Sequence, residues 1–336
     1  MILKSTISFC TTCYKRIPAD IYTEGDSIYM RKYCSEHGQT TAMVERDAEF
    51  YTRCMSMGQR GIYTGYMMDV TQRCNLSCAY CFYARNNTAK DPSIPRLLQE
   101  AFMARPYGEI IVTGGEPTLR DDLPQLLEQV RCVVPRVAML TNGVRMTGNL
   151  LDGILPHLHY TNGAVGLNLS MHPESNGADR KVIQMMRQRG LKLESILWVI
   201  DDPSQIAEVV DFADANKDVI GVVRLKAASK MWAEQKPDNH IFVSDMLKHL
   251  EQNLYKPKTL WWANNKVSFF NVEVNGLRYM LVSWYNVNNI DLLDINCPPV
   301  YKSKIGVIEN LVTAAIVNEG LSKGWVDGME VNYATS

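Results

Sequence analysis

Residues 66–81 read YMMDVTQRCNLSCAYC: a short apolar run, a polar turn, then three cysteines in eight positions. Cys74, Cys78 and Cys81 have the spacing C-x3-C-x2-C. A closed structural zinc site takes four ligands, and disulfides use thiols in pairs, so three thiols on one loop ask for another partner. The apolar run ahead of them is the first of six: YMMDV (66–70), EIIVTGG (109–115), RVAMLTNG (136–143), AVGLNLSMH (164–172), LESILWVID (193–201) and IGVVRLKAA (220–228).

Between the runs lie stretches with apolar residues at intervals of three and four. They are PRLLQEAFMAR, LPQLLEQVRCVV, MTGNLLDGILPHL, DRKVIQMMRQRG and PSQIAEVVDFADAN. That spacing marks helices with one buried face. Strand and helix alternating in this way predict parallel strands joined by right-handed crossovers. The fold class expected is α/β, a partial (β/α)6 TIM-like barrel over residues 61–230. In such folds the active site gathers at the carboxyl ends of the strands, where the three-cysteine loop begins.

Residues 1–60 form a different module around CTTC (10–13) and CSEHG (34–38), with little apolar residue for a core of their own. Residues 231–336 lose the alternation and read as an α+β extension covering the open side of the barrel. In it VSFFNVEVN and LRYMLVSWYNV flank an Asn275-Gly276 hairpin turn, and GVIENLVTAAIVNEGL is a helix.

With 336 residues, 46% hydrophobic and 21% charged, the chain is of ordinary globular composition. A formal net charge of -1 argues against nucleic acid as the main partner. No apolar stretch reaches membrane-spanning length, and MILKSTISFCTTC lacks the apolar core of a signal peptide. A cytoplasmic location is expected, and nine cysteines in clusters fit metal binding in a reducing compartment.

Three thiolates can hold one [4Fe-4S] cube and leave its fourth iron without a protein ligand, open to a substrate or cosubstrate. The plainer alternative is a structural zinc site that borrows Cys54 or Cys132. The loop, with Tyr80 just before its last cysteine, resembles the signature of the radical S-adenosylmethionine (SAM) superfamily. The resemblance implies that SAM chelates the open iron and is reductively cleaved to methionine and a 5'-deoxyadenosyl radical that abstracts hydrogen from substrate. It also implies an electron donor such as flavodoxin or ferredoxin, and a small-molecule or lipid substrate.

Companion segments fall in the family's order. Gly114, Gly115, Glu116 and Pro117 form GGEP, which in the family meets the amino group of SAM; glycines allow close backbone approach and a carboxylate accepts from an ammonium. LTNG (140–143) brings Asn142 to the nucleoside pocket, or is a simple turn. Asn168, Ser170 and His172 end the fourth run. By the same resemblance Ser170 faces the ribose, and His172 faces substrate or is a polar loop residue. Arg224, in the sixth run, pairs with the carboxylate of SAM or covers its own stem. Trp198 reads as barrel packing.

Cys10, Cys13, Cys34 and His37 are a four-ligand set with knuckle spacing, suited to tetrahedral Zn, with mononuclear Fe as the competing metal and Cys54 as a competing ligand. A knuckle ahead of such a core resembles the branch containing tetraether lipid synthases and pterin methyltransferase-like enzymes. Those relatives carry more cysteines for auxiliary clusters, whereas here Cys54, Cys132 and Cys297 remain, with Cys132 expected to be buried on a helix face. The chain also lacks the paired-cysteine extension of peptide-modifying relatives and a preceding cobalamin-sized domain. The competing class is a non-catalytic metal-binding protein whose knuckle recognises nucleic acid or protein.

Overall fold

The computed structural model describes residues 1–13, 15–56, 65–78, 81, 86–228, 240–253, 255–262 and 269–283. It divides into two compact units. The first comprises Met1–Tyr63, Val199–Asp211 and Leu225–Asn296, and the second Thr64–Trp198, Phe212–Arg224 and Cys297–Ser336.

The chain opens with four antiparallel strands, β1 (Ile2–Phe9), β2 (Arg16–Glu24), β3 (Ser27–Cys34) and β4 (Gly38–Glu45), hydrogen-bonded in that order. Side chains alternate across a strand, and in β3 the alternation buries Ile28, Met30 and Lys32. The helix α1 (Ala48–Ser56) follows and buries Phe50, Tyr51 and Cys54. The sequence had suggested too little apolar residue here for a core. The core is shared with a later stretch of chain, Phe50 meeting Phe270 edge-on at 5.2 Å.

The strand and helix alternation follows, most of it in the second unit. Its elements are β5 (Gly65–Asp69), α2 (Ile94–Met103), β6 (Glu109–Thr113), α3 (Leu123–Val133), β7 (Arg136–Thr141), α4 (Gly148–Ile154), a short β8 (Tyr160–Thr161), β9 (Ala164–Met171), α5 (Ala178–Gln188) and β10 (Lys192–Ile200). There follow α6 (Ile206–Ala215) and β11 (Val222–Ala227). The sheet order is β5-β6-β7-β9-β10-β11, the six expected strands, and the pairs from β5 to β10 are parallel. Their middles are buried on both faces, as in Ile110, Ile111 and Val112, which is the mark of a parallel sheet covered by helices. In α3 the buried stripe is Leu123, Leu126, Leu127 and Val130. Cys132 falls outside that stripe and is exposed, so its expected burial is corrected: it is out of phase with the face that meets the sheet. Trp198 does pack, edge-on against Phe212 at 5.3 Å.

In the first unit, α7 (Val243–Gln252) and β12 (Lys258–Trp262), β13 (Phe269–Val274) and β14 (Leu277–Val282) complete the described chain. The strand order runs β12-β13-β14-β11, and Leu225–Ala227 of β11 are counted in this unit. The β13–β14 hairpin turns at Asn275 and Gly276 with φ of 53° and 78°, the two positive values that a type I′ turn requires. The expected helix at 306–321 lies outside the described residues. Among the described residues, no helix is long and apolar enough to cross a membrane.

Candidate functional site

Loop 70–78 leaves the carboxyl end of β5 and is tied down by main-chain bonds to the neighbouring loop. Val70 N donates to Thr113 O at 3.0 Å, Gly115 N to Thr71 O at 2.8 Å, and Glu116 N to Arg73 O at 2.8 Å. The approach is close enough to demand glycine. A Cβ on Gly114, where φ is 134°, would lie 2.3 Å from Thr71 O, and one on Gly115 would lie 2.0 Å from Arg73 O and 3.1 Å from Cys74 Cβ. Arg73 is itself clamped by Asp91, which also takes the Thr71 hydroxyl at 2.6 Å, and donates to Leu119 O at 2.9 Å. Arg120, buried, donates to Val70 O and Pro92 O at 2.8 and 2.9 Å.

Of the cysteines, Cys74 and Cys78 are half-buried and Cys81 is exposed. Cys74 N donates to Asn87 Oδ1 at 2.9 Å, and Cys81 N donates to Cys78 O at 3.1 Å. Burial pushes the Cys78 thiol up to about 11, and the charges of Glu174, Cys81 and Cys74 add to the rise. Three thiolates that repel one another become tenable when iron neutralises them, so this donor set fits a cationic cluster. Cys78 Sγ also meets His172 Nδ1 at 3.6 Å. Tyr80 lies outside the described residues.

The Glu116 carboxylate is buried and bonded within the protein. It is 1% exposed, and its oxygens are already engaged: Oε1 accepts from Thr118 N at 3.1 Å and from the Thr118 and Thr141 hydroxyls at 2.7 Å, while Oε2 accepts from Asn142 N at 2.7 Å. Its role is to lock GGEP to TNG. Asn142 extends the tie, donating from Nδ2 to Asn75 Oδ1 at 2.8 Å and accepting from Val144 N at 3.0 Å. The cysteine loop, GGEP and TNG are thus one hydrogen-bonded assembly, with Pro117 buried in the short turn that follows.

Ser170 is half-buried near the end of β9, opposite Leu197 of β10. Asn168 is buried and bonded to Glu194 at 2.9 Å, so it serves the sheet. Arg224 stands third in β11 rather than at its end, in the electrostatic reach of Glu194, and its Nε is buried with no hydrogen-bond partner among the described residues. Near the amino ends of the strands, Glu109, His159 and Glu194 also cluster. There Arg136 faces His159 Nε2 at 3.3 Å, while His159 Nδ1 faces Val137 O at 3.0 Å, so both ring nitrogens are engaged by the protein in an ion-pair network.

The knuckle's four ligands converge. Cys10 Sγ and Cys34 Sγ lie 3.6 and 3.5 Å from His37 Nδ1, and Cys13 Sγ lies 3.9 Å from Cys34 Sγ. Zn–S bonds of ~2.3 Å and Zn–N bonds of ~2.0–2.1 Å at tetrahedral angles separate two sulfurs by about 3.8 Å and sulfur from nitrogen by about 3.6 Å. The donors therefore fit one tetrahedral ion, and Cys54 is not in the group. Burial raises the Cys10 thiol, but the amides of Cys13 and Thr12 outweigh it and bring it to about 6. Buried Lys32 donates to Phe9 O at 3.0 Å beside Cys10.

Sequence patterns alone had not singled out Thr71, Arg73, Asp91, Asn75, Asn87 or Arg120. Thr71, Arg73 and Asn75 lay in or beside the cysteine motif and Arg120 directly after GGEPTL, whereas Asn87 and Asp91 lay outside every motif.

Comparison with known proteins places these two sites in context. Residues 2–46 match the HMPTM N-terminal zinc ribbon domain, and residues 68–213 match the Radical SAM superfamily. The 7,8-dihydro-6-hydroxymethylpterin dimethyltransferase of Methanocaldococcus jannaschii is 32% identical over 177 residues, covering 43% of this chain and 35% of that protein. The GTP 3',8-cyclase of Stenotrophomonas maltophilia is 36% identical over 112 residues, covering 31% of this chain and 32% of the other. This chain spans about a third of the length of these curated relatives. The structure of Streptococcus suis SuiB bound to S-adenosylmethionine aligns with a TM-score of 0.45 at 16% identity, over 77% of this chain and 56% of SuiB. The chain thus carries a radical SAM domain behind an N-terminal zinc ribbon domain.

Proposed function

We propose that the chain reductively cleaves SAM at a [4Fe-4S] cluster held by Cys74, Cys78 and Cys81, releasing methionine and a 5'-deoxyadenosyl radical that abstracts hydrogen from a small organic or lipid substrate. The observation that carries this reading is the bonding of the three-cysteine loop, GGEP and TNG into one assembly at the ends of adjacent strands.

In that assembly the chain's own residues bind and orient. Gly114 and Gly115 bring main chain against the cluster loop, where a side chain would displace it. Glu116 fixes Asn142, which together with Ser170 lines the nucleoside side. Arg224 keeps an Nε donor suited to a carboxylate. A flavodoxin or ferredoxin supplies the electron. Two curated relatives are named for a pterin and for GTP, so polar nitrogen heterocycles are the first substrates to screen. The ribbon holds structural Zn, with mononuclear Fe the alternative that metal analysis separates.

The test is anaerobic reconstitution followed by iron and sulfide analysis, then incubation with SAM and dithionite and chromatography for 5'-deoxyadenosine. Product from the wild type that is lost in Cys78→Ala, together with the cluster, supports the reading. Undiminished SAM cleavage by Cys78→Ala sinks it.

A further inference from the structure

His172 reaches Cys78 from 94 residues away in sequence, its Nδ1 3.6 Å from the sulfur. The carboxylate of Glu174 belongs to the same tight group, in which the three ligand atoms lie within 4.8 Å of one another. The histidine follows β9 directly, and its main chain is fixed on both sides. Its N–H donates to Asp179 Oδ2 at 3.3 Å, and its carbonyl accepts from Ser175 N at 3.0 Å. Asp179 is buried on the same stripe of α5 as Val182, Ile183 and Met186, so the anchor is part of the core. Asn176 and Gly177, with φ of 50° and 78°, turn the chain from His172 into α5 within five residues. The ring is therefore delivered by a strand end and a helix start.

A thiolate bound to iron is an acceptor, so the imidazole nitrogen facing it must carry the hydrogen. We propose that His172 donates its Nδ1–H to the sulfur of Cys78 and thereby sets the reduction potential of the cluster; this rests on the reading of Cys74, Cys78 and Cys81 as cluster ligands. A hydrogen bond to a cluster sulfur favours the state with the added electron, and partners of this kind are among the determinants of cluster potential. The nearby Glu174 carboxylate acts in the opposite sense, through its negative charge. His172 is a positioning and tuning residue, and it need not touch substrate.

The experiment is an anaerobic redox titration of the full-length, reconstituted protein, followed by the paramagnetic resonance of the reduced cluster. His172→Leu keeps the wild-type iron and sulfide content and lowers the midpoint by about a tenfold change in the one-electron equilibrium, about 59 mV. His172→Gln, which retains an N–H donor, recovers part of the shift. A fully loaded His172→Leu protein with an unchanged midpoint overturns the proposal. So does failure of both variants to load iron where the wild type loads it, because the residue then serves assembly. A wild type that takes up no four-iron cluster removes the ligand reading itself, and this inference with it.

Discussion

The main-chain N–H of Asn142 donates to Glu116 Oε2 at 2.7 Å, joining two loops that are 26 residues apart in sequence. The other carboxylate oxygen takes three more donors from Thr118 and Thr141. A fully buried acidic side chain with this inventory is a rivet, and its removal leaves several donors buried without acceptors.

Glu116→Ala should therefore lower stability by on the order of 3 kcal/mol, the penalty expected when buried donors lose their acceptor, and weaken SAM binding by loosening TNG. Glu116→Gln costs less, because its oxygen can keep the three Oε1 contacts while its amide opposes Asn142 N. Urea midpoints paired with SAM titrations check both. Wild-type stability in Glu116→Ala would remove the rivet role.

Gly115→Ala should cost the cluster. A Cβ 2.0 Å from Arg73 O must push the cysteine loop away from GGEP. The expected outcome is loss of cluster iron with ribbon metal retained, read by elemental analysis of the purified variant. Full iron content would mean that the loop yields without harm.

Cys13→Ser should show the reverse pattern. The ribbon loses one thiolate and with it most of its metal and some thermal stability, because a small metal-organised module draws folding energy from the ion. Cluster iron and SAM cleavage persist in the folded fraction. Selective loss of turnover at wild-type stability would contradict a structural role.

Glu45 makes stability fall with rising pH. It is fully buried, its Oε1 accepts from Ser244 Oγ at 2.6 Å and from Arg46 N at 2.7 Å, and its Oε2 has no hydrogen-bond partner among the described residues. Burial raises its pKa from 4.5 to about 7 against the pull of those bonds. Between those values the folded state binds the proton that the unfolded state has released, so folding weakens as pH climbs from about 4.5 to about 7 and the loss is complete above that. At 1.36 kcal/mol per pKa unit the effect is about 3 kcal/mol. Chemical denaturation at pH 5 and pH 8 should show a smaller difference for Glu45→Gln than for the wild type, and equal differences would exclude Glu45 as the source.

The parallel sheet was legible because every strand is an apolar run and every crossover helix shows a three-and-four stripe; α3, with Leu123, Leu126, Leu127 and Val130, is the plainest case. Asn275-Gly276 announced its turn, since few other pairs accept two positive φ angles. The four ribbon ligands were legible from spacing alone. Of the ribbon's strands only β3 was legible, as the alternating SIYMRKY; β1 hides its pattern because it buries Thr6 and Ser8 and leaves Ile2 and Ile7 exposed, and β4 buries only Glu45. Nor could sequence reveal that Glu116 is consumed by its neighbours, or that Asp91 clamps Arg73. These are pairings between loops, and a residue's type does not disclose which of its possible partners it meets.

The first unit is assembled from three separated stretches of chain, beginning at Met1–Tyr63 and closing only with Leu225–Asn296. The β1–β4 hairpins are local and can form as they leave the ribosome. The Glu45–Ser244 bond, the Lys248–Asp47 ion pair and the Phe50–Phe270 contact must wait for about 200 further residues. At ~5–20 residues per second of synthesis this is a delay of roughly ten to forty seconds, during which Glu45 and Phe50 stay wet and the nascent ribbon is open to chaperones and proteases.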